Sequence, residues 1–163
     1  MDTFSHALWG KALFGYRGSK FSPFLFGAAP DLIAFLPFFI FKLLSRSSST
    51  DILGKPEIVE IPLWVFNLYD FSHSFITAFL LVGILLYFKR KIFAFAALSW
   101  PFHILLDFPF HTKEFFPTKI FWPFSNFSVD GISWATPEVW LTNLSFLLVF
   151  FFWRFKDKVK SKL

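Results

Sequence analysis

Residues 92–111, IFAFAALSWPFHILLDFPFH, decide how this chain folds. The run has the length at which a helix spans a bilayer, about 20 apolar residues with ~17 as a practical minimum. Lipid leaves backbone polar groups no partners but one another, so the run predicts a helix and not a strand. It nevertheless carries His103, Asp107 and His111, an odd load for a lipid-facing stretch. Four further apolar segments lie at 4–17, 21–44, 61–88 and 137–153. Of these, 21–44 and 61–88 exceed the spanning length, 137–153 sits at its limit and 4–17 falls short. Strand alternation is absent and no internal repeat is visible. The expectation is an all-α, polytopic helical membrane protein: about five apolar helices, four to five of them crossing, in one bundle that forms a single domain over 1–163.

Composition points the same way. The 163 residues are 55% hydrophobic and include 29 phenylalanines, against roughly 45–50% apolar usage in soluble domains. There is no cysteine, which excludes disulfides, thiolate metal sites and cysteine nucleophiles. The net charge is +5, but the basic residues flank apolar segments instead of lining a polar face, so no nucleic-acid partner is expected. The start, MDTFSHALWGKALFGY, holds Asp2, His6 and Lys11 and so differs from a signal peptide; it is expected to be retained. Polar linkers fall at 45–57 and 112–136. With five crossings, Arg17, Lys20, Lys89, Arg90, Lys91 and the basic tail 154–163 share one side, and Lys42, Arg46, Lys55, Lys113 and Lys119 the other. The positive-inside rule then places the tail in the cytoplasm of a prokaryotic inner membrane. His6, His73, His103, Asp107, His111 and the loop 112–136 fall toward the opposite face.

Ionisable side chains inside such segments cost about 2.5–3.5 kcal/mol for Asp at a helix centre and mark functional sites by default. His103 and Asp107 are four residues apart, a spacing that stacks them on one helical face within reach of one metal ion. His111 continues the stripe, although Pro109 is expected to end or kink the helix before it. In YDFSHSF, Asp70 stands three residues before His73 and is a candidate to accept its second ring N–H. Asp31 follows GAAP, and Pro30 is expected to break the helix there. His6 and Gly10 are also four apart, and the glycine suits either helix packing or close approach of a metal cluster. Plainer roles stay open: interhelical hydrogen bonds for the histidines, a helix cap for Asp70, a neighbouring hydroxyl for Asp31. As a set, three histidines and two carboxylates suit zinc, with manganese or iron as alternatives, and hold two ions if one carboxylate bridges. Paired metals of that kind activate water and support phosphoester hydrolysis. No G-x-S-x-G elbow, P-loop, G-x-G-x-x-G or H-E-x-x-H competes with this reading.

The pieces MDTFSHALWG, GAAPDL (27–32), FSHSF (71–75), HILLD (103–107) and FWPFS (121–125) occur in an order that resembles the YdjM-like membrane-bound metal-dependent hydrolases. They span residues 1 to about 130. The order of histidines and aspartates is also similar to the metal core of the zinc-dependent phospholipase C and single-strand nuclease superfamily. That similarity implies one zinc on His6 and Asp107 and another on Asp31, His73, His103 and Asp107, with Asp107 bridging and water between the metals as nucleophile. The chain departs from the family in having PDLIAF without a second acid and YDFSHS without an Arg-Gly-x-Thr.

The resemblance implies a hydrolase with Asp107 at the catalytic centre, Asp70 and His111 in support, and a lipid or lipid-linked phosphoester as substrate. The loop 112–136 is expected to cover the site, with Lys113 or Lys119 attracting a phosphate and Trp122 and its aromatic neighbours holding an acyl chain; an interfacial aromatic belt explains Trp122 equally. Two rival readings remain: a divalent-metal or proton transporter, and a non-catalytic scaffold whose metal staples short helices. The sequence does not give the oligomeric state.

Overall fold

The computed structural model describes residues 1–45 and 57–160, with the side chains of the last helix described to Arg154. Arg46, Lys55, most of the linker 45–57 and the tail side chains beyond Arg154 lie outside the described set. Among the described residues seven helices follow one another: α1 Thr3–Phe14, α2 Ser22–Leu44, α3 Leu63–Ser72, α4 Phe75–Tyr87, α5 Lys91–Ala97, α6 Ser99–Asp107 and α7 Pro137–Lys160, with a 3-10 turn at Ile58–Glu60. No strand occurs among the described residues, so the all-helical expectation holds.

The five apolar segments do not map onto five helices, because 61–88 and 92–111 are each split in two. Among the described residues, α2 alone is long and apolar enough to cross a membrane, and α3 with α4 makes a second span only if a pair bent by 53° is counted as one. Two sequence features cause the splitting. In 61–88, Ser74 adopts an extended backbone and accepts from Ile76 N–H at 3.2 Å, capping a new helix just after His73. Ser74, not Asp70, is the cap. In 92–111, Pro101 has no N–H to give the Ala97 carbonyl, and α5 ends at Ala97 while Pro101 falls in the first turn of α6, where proline is tolerated. Pro109 lies just beyond α6, which stops at Asp107 as expected.

The expected break at Pro30 is absent. α2 runs through both Pro30 and Pro37. Each proline removes one intrahelical hydrogen bond, a loss of ~3 kcal/mol in an isolated helix, but here α2 is held from outside by dense packing on α1. A Cβ on Gly27 would lie 2.5 Å from the His6 carbonyl oxygen, and one on Gly10 would lie 2.3 Å from that of Pro23. The two glycines therefore let the α1 and α2 backbones touch, the packing role open to Gly10. Asp2 starts α1 by accepting from Ser5 N–H at 2.8 Å and Ser5 O–H at 2.7 Å.

The remaining elements close around α1, α2 and α6. Trp9 Nε1 donates to Asn143 Oδ1 at 2.8 Å and Asn143 Nδ2 to Ser5 Oγ at 2.9 Å, fixing α7 on α1. The loop 112–136 is irregular but tied down: Phe75 N–H donates to the Ile120 carbonyl (2.9 Å), Ser74 O–H to that of Trp122 (2.6 Å), and Gly131 N–H to that of His111 (2.9 Å).

Candidate metal centre

Three helices and a helix break deliver the polar residues to one place. α1 contributes His6, α2 Asp31, the α3–α4 break His73, and α6 both His103 and Asp107. The loop after α6 contributes His111, because Phe110 N–H bonds back to the Asp107 carbonyl at 2.9 Å and curls the chain toward the helix end. All six side chains are buried, with His73 and Asp107 at 0% exposure. Pro109 takes His111 off the helical face, as expected, yet the turn returns its Nε2 to 3.5 Å from Asp107 Oδ1.

Asp31, His73, His103 and Asp107 offer donor atoms that all lie within 4.8 Å of one another. His73 Nε2 is 3.1 Å from His103 Nε2 and 3.5 Å from both Asp31 Oδ1 and Asp107 Oδ2. His103 Nε2 is 3.1 Å from Asp107 Oδ2 and 3.7 Å from Asp31 Oδ1. Ligands 2.0–2.1 Å from a tetrahedral zinc are about 3.3–3.4 Å apart, and the five separations above, 3.1 to 3.7 Å, bracket that figure.

The hydrogen bonds around the cluster fix which ring nitrogens face inward. His103 Nδ1 donates to the Gly27 carbonyl at 2.7 Å, and His73 Nδ1 to that of Tyr69 at 3.1 Å with Ser72 Oγ at 3.0 Å. A ring that gives its N–H to a carbonyl presents a lone pair on the other nitrogen, the arrangement usual for a metal-bound histidine. Two lone pairs and two carboxylates therefore face one another, and Asp31 Oδ2 and Asp107 Oδ2 have no hydrogen-bond partner. Asp107 also ends α6, where the helix dipole disfavours a negative charge. A cation in the centre relieves all of these costs together, so the residues fit a metal ion.

The other oxygen of Asp107 faces a different set. Oδ1 is 2.9 Å from His6 Nε2 and 3.5 Å from His111 Nε2, and it also pairs with the amino group of Met1. His111 Nδ1 donates to the Phe116 carbonyl at 3.0 Å and contacts Tyr69 Oη at 3.2 Å. Its buried Nε2 has no hydrogen-bond partner. His6 and His103 stack with ring centroids 3.5 Å apart, which joins the two halves.

Four expectations need correction or completion. Asp70 does not hold His73; its Oδ2 takes the Lys119 ammonium at 2.7 Å. Lys119 is thereby committed to a protein carboxylate. The Lys113 side chain is exposed and its backbone N–H donates to Asp130 Oδ1 at 2.9 Å. Trp122 packs edge-on to Phe71 at 6.4 Å and is tied to the site through its carbonyl on Ser74. Residues not anticipated are Tyr69, whose ring stacks on His73 at 3.8 Å, the Gly27 carbonyl, and Trp100, whose Nε1 donates to the Ser72 carbonyl at 2.7 Å. The i, i+4 spacing of Tyr69 and His73 was a usable signal; a backbone carbonyl leaves none. A cavity of about 650 Å³ lined by Glu57, Phe110, His111, Glu114 and Trp134 borders the cluster.

Fold and cluster define an all-helical protein with a buried centre of two histidines and two carboxylates able to hold a metal ion. No family model, curated protein or solved structure matches the chain.

Proposed function

We propose that this protein is a membrane-embedded hydrolase of phosphoesters, with zinc as the metal held by Asp31, His73, His103 and Asp107. The observation that carries this reading is the double aspect of Asp107: Oδ2 faces His73 and His103 while Oδ1 faces His6 and His111. A carboxylate with imidazoles on both sides suits a bridge between two metal positions. A divalent ion in such a centre polarises a phosphoryl oxygen and lowers the pKa of water. The chain's own part is to orient His73 and His103 through the Tyr69 and Gly27 carbonyls and to shield the centre from bulk water. The cavity at His111 supplies the polar approach.

Location in a membrane is supported by α2 and by the apolar surface. Leu36, Phe39, Leu80, Leu148, Val149 and Phe152 are all more than 40% exposed, an apolar display of the kind that marks membrane contact. On this reading the basic turn Lys89–Lys91 faces the cytoplasm and the metal centre the other side.

Metal analysis with a phosphodiester assay tests the proposal. Purified wild type should carry zinc, manganese or iron and hydrolyse a phosphodiester, and His103→Ala should lose both. Equal, near-zero metal in the two proteins refutes the metal centre. Metal flux in proteoliposomes with no phosphoester hydrolysis replaces hydrolysis by transport.

A further inference from the structure

A second cavity, about 410 Å³, lies against the far side of the same centre. Its walls are Trp9 of α1, Leu106 and Phe110 at and just after the end of α6, and Val139, Thr142 and Phe146 of α7. Leu106 precedes Asp107, and Met1, which also lines the cavity, places its amino group on Asp107 Oδ1. The cavity is therefore walled by a residue in contact with the carboxylate that joins the two groups of histidines, while Asp107 itself is buried behind that wall. Phe110 lines both this cavity and the half-polar one beside His111.

The two cavities differ in chemistry. Glu138 and Asn143 are polar residues of the α7 wall; Glu138 is exposed, and the Asn143 amide is already engaged by Trp9 and Ser5. The outer face of α7 is apolar and exposed, with Leu148 at 63% and Phe152 at 75%. On the membrane reading, a wall with exposed apolar residues outside and apolar contacts within suits a chain entering sideways from lipid. The volume falls within the ~300–1,000 Å³ of small-molecule sites.

We infer that the cavity between α1, the end of α6 and α7 is the binding site for the hydrocarbon chain of an amphiphilic phosphoester, which lies across Phe110 with its polar head beside His111. The identity of the head rests on the hydrolase reading; the chain site does not. It makes the substrate a lipid phosphoester and assigns the chain to α7, not to the aromatics of the loop 112–136.

The test is binding of alkylphosphonates, butyl to decyl, to the zinc-loaded protein by calorimetry below their micelle concentrations. Each methylene buried should tighten binding about fourfold, the ratio set by ~0.8 kcal/mol per methylene, until the cavity is full. Thr142→Trp, a change at an exposed rim position, should stop the rise at a shorter chain, and Val139→Ala should extend it. Leu148→Ala, on the outer face of α7, should keep the wild-type series. Partition into the surrounding detergent adds the same slope to every variant, so the difference between variants is what decides. Identical series in wild type, Thr142→Trp and Val139→Ala overturn the chain site. A wild-type series that the variants shift as expected, with no phosphoester hydrolysed, upholds the chain site and refutes the hydrolase.

Discussion

Gly27→Ala should loosen the fold and the centre together, and the size of both effects follows from one distance. The added Cβ would lie 2.5 Å from the His6 carbonyl oxygen and 3.2 Å from Ala7 Cα. Both are backbone atoms, so no side chain can rotate away. Restoring an ordinary contact of roughly 3.4 Å requires α1 to retreat by about 0.9 Å (3.4 − 2.5). Overpacking of this kind costs about 1–3 kcal/mol, and the better helix propensity of alanine returns at most ~1 kcal/mol. A clash between two backbones falls at the upper end, leaving a net loss of about 2 kcal/mol. For a chain of this size that lowers Tm by about 4–8 °C, measurable by intrinsic fluorescence during heating. The same retreat moves His6 Nε2 from its 2.9 Å contact with Asp107 Oδ1 to beyond hydrogen-bond reach. Metal ligands tolerate only about ±0.2 Å, so any ion on the His6 side should be lost first. An unchanged or raised Tm for Gly27→Ala shows that α1 and α2 do not touch at this position and removes the basis for placing His6 in the site.

Other substitutions separate the parts of the site. Asp31→Asn should abolish retention of metal by the four-residue centre, measured by elemental analysis after gel filtration, because it removes one of two carboxylates. Tyr69→Phe keeps the ring and carbonyl on His73 but removes the hydroxyl from His111 and Thr118, 3.2 and 3.0 Å away; an ion on the His111 side should bind about 10–100-fold more weakly while the four-residue centre keeps its affinity, by competition with a chromogenic chelator. Ser74→Ala loses the α4 cap and the bond to the Trp122 carbonyl, and should lower stability by about 1 kcal/mol or somewhat more, read as a Tm shift.

The six site residues were legible because charge and imidazole stand out inside apolar segments, where each is too expensive to keep without a partner. The i, i+4 spacing of His103 and Asp107 also translated directly into shared contact. Helix lengths were less legible. Hydropathy alone runs straight through 61–88 and 92–111, whereas Ser74 and Pro101 act on backbone hydrogen bonds that hydropathy does not register. Pro30 misled in the opposite sense: its lost hydrogen bond is local, and the Gly27 contact that holds α2 together comes from a helix some twenty residues away in sequence. Asp70 was assigned to His73 on proximity along the chain, but the Tyr69 carbonyl and Ser72 hydroxyl were nearer, which left Asp70 for Lys119.

Charge explains why the centre needs a cation. Asp31 and Asp107 are 5% and 0% exposed, and their neighbours within the cluster are imidazoles whose Nδ1 protons already point outward to carbonyls. The Met1 amino group answers only Asp107 Oδ1. Two buried carboxylates with partial compensation are strongly destabilising, whereas one divalent ion matches their charge. Chelation should therefore lower stability and not activity alone. At a free metal concentration a thousandfold above Kd, the ion contributes about 4 kcal/mol to the folded state, and its removal lowers Tm by about 8–16 °C. Asp107→Asn should respond little to chelator, since the site it would deplete is already lost. If chelator instead leaves wild-type Tm unchanged while Asp107→Asn raises it, the cluster is a proton-sharing network between His73 and His103, and the metal reading falls with its hydrolase.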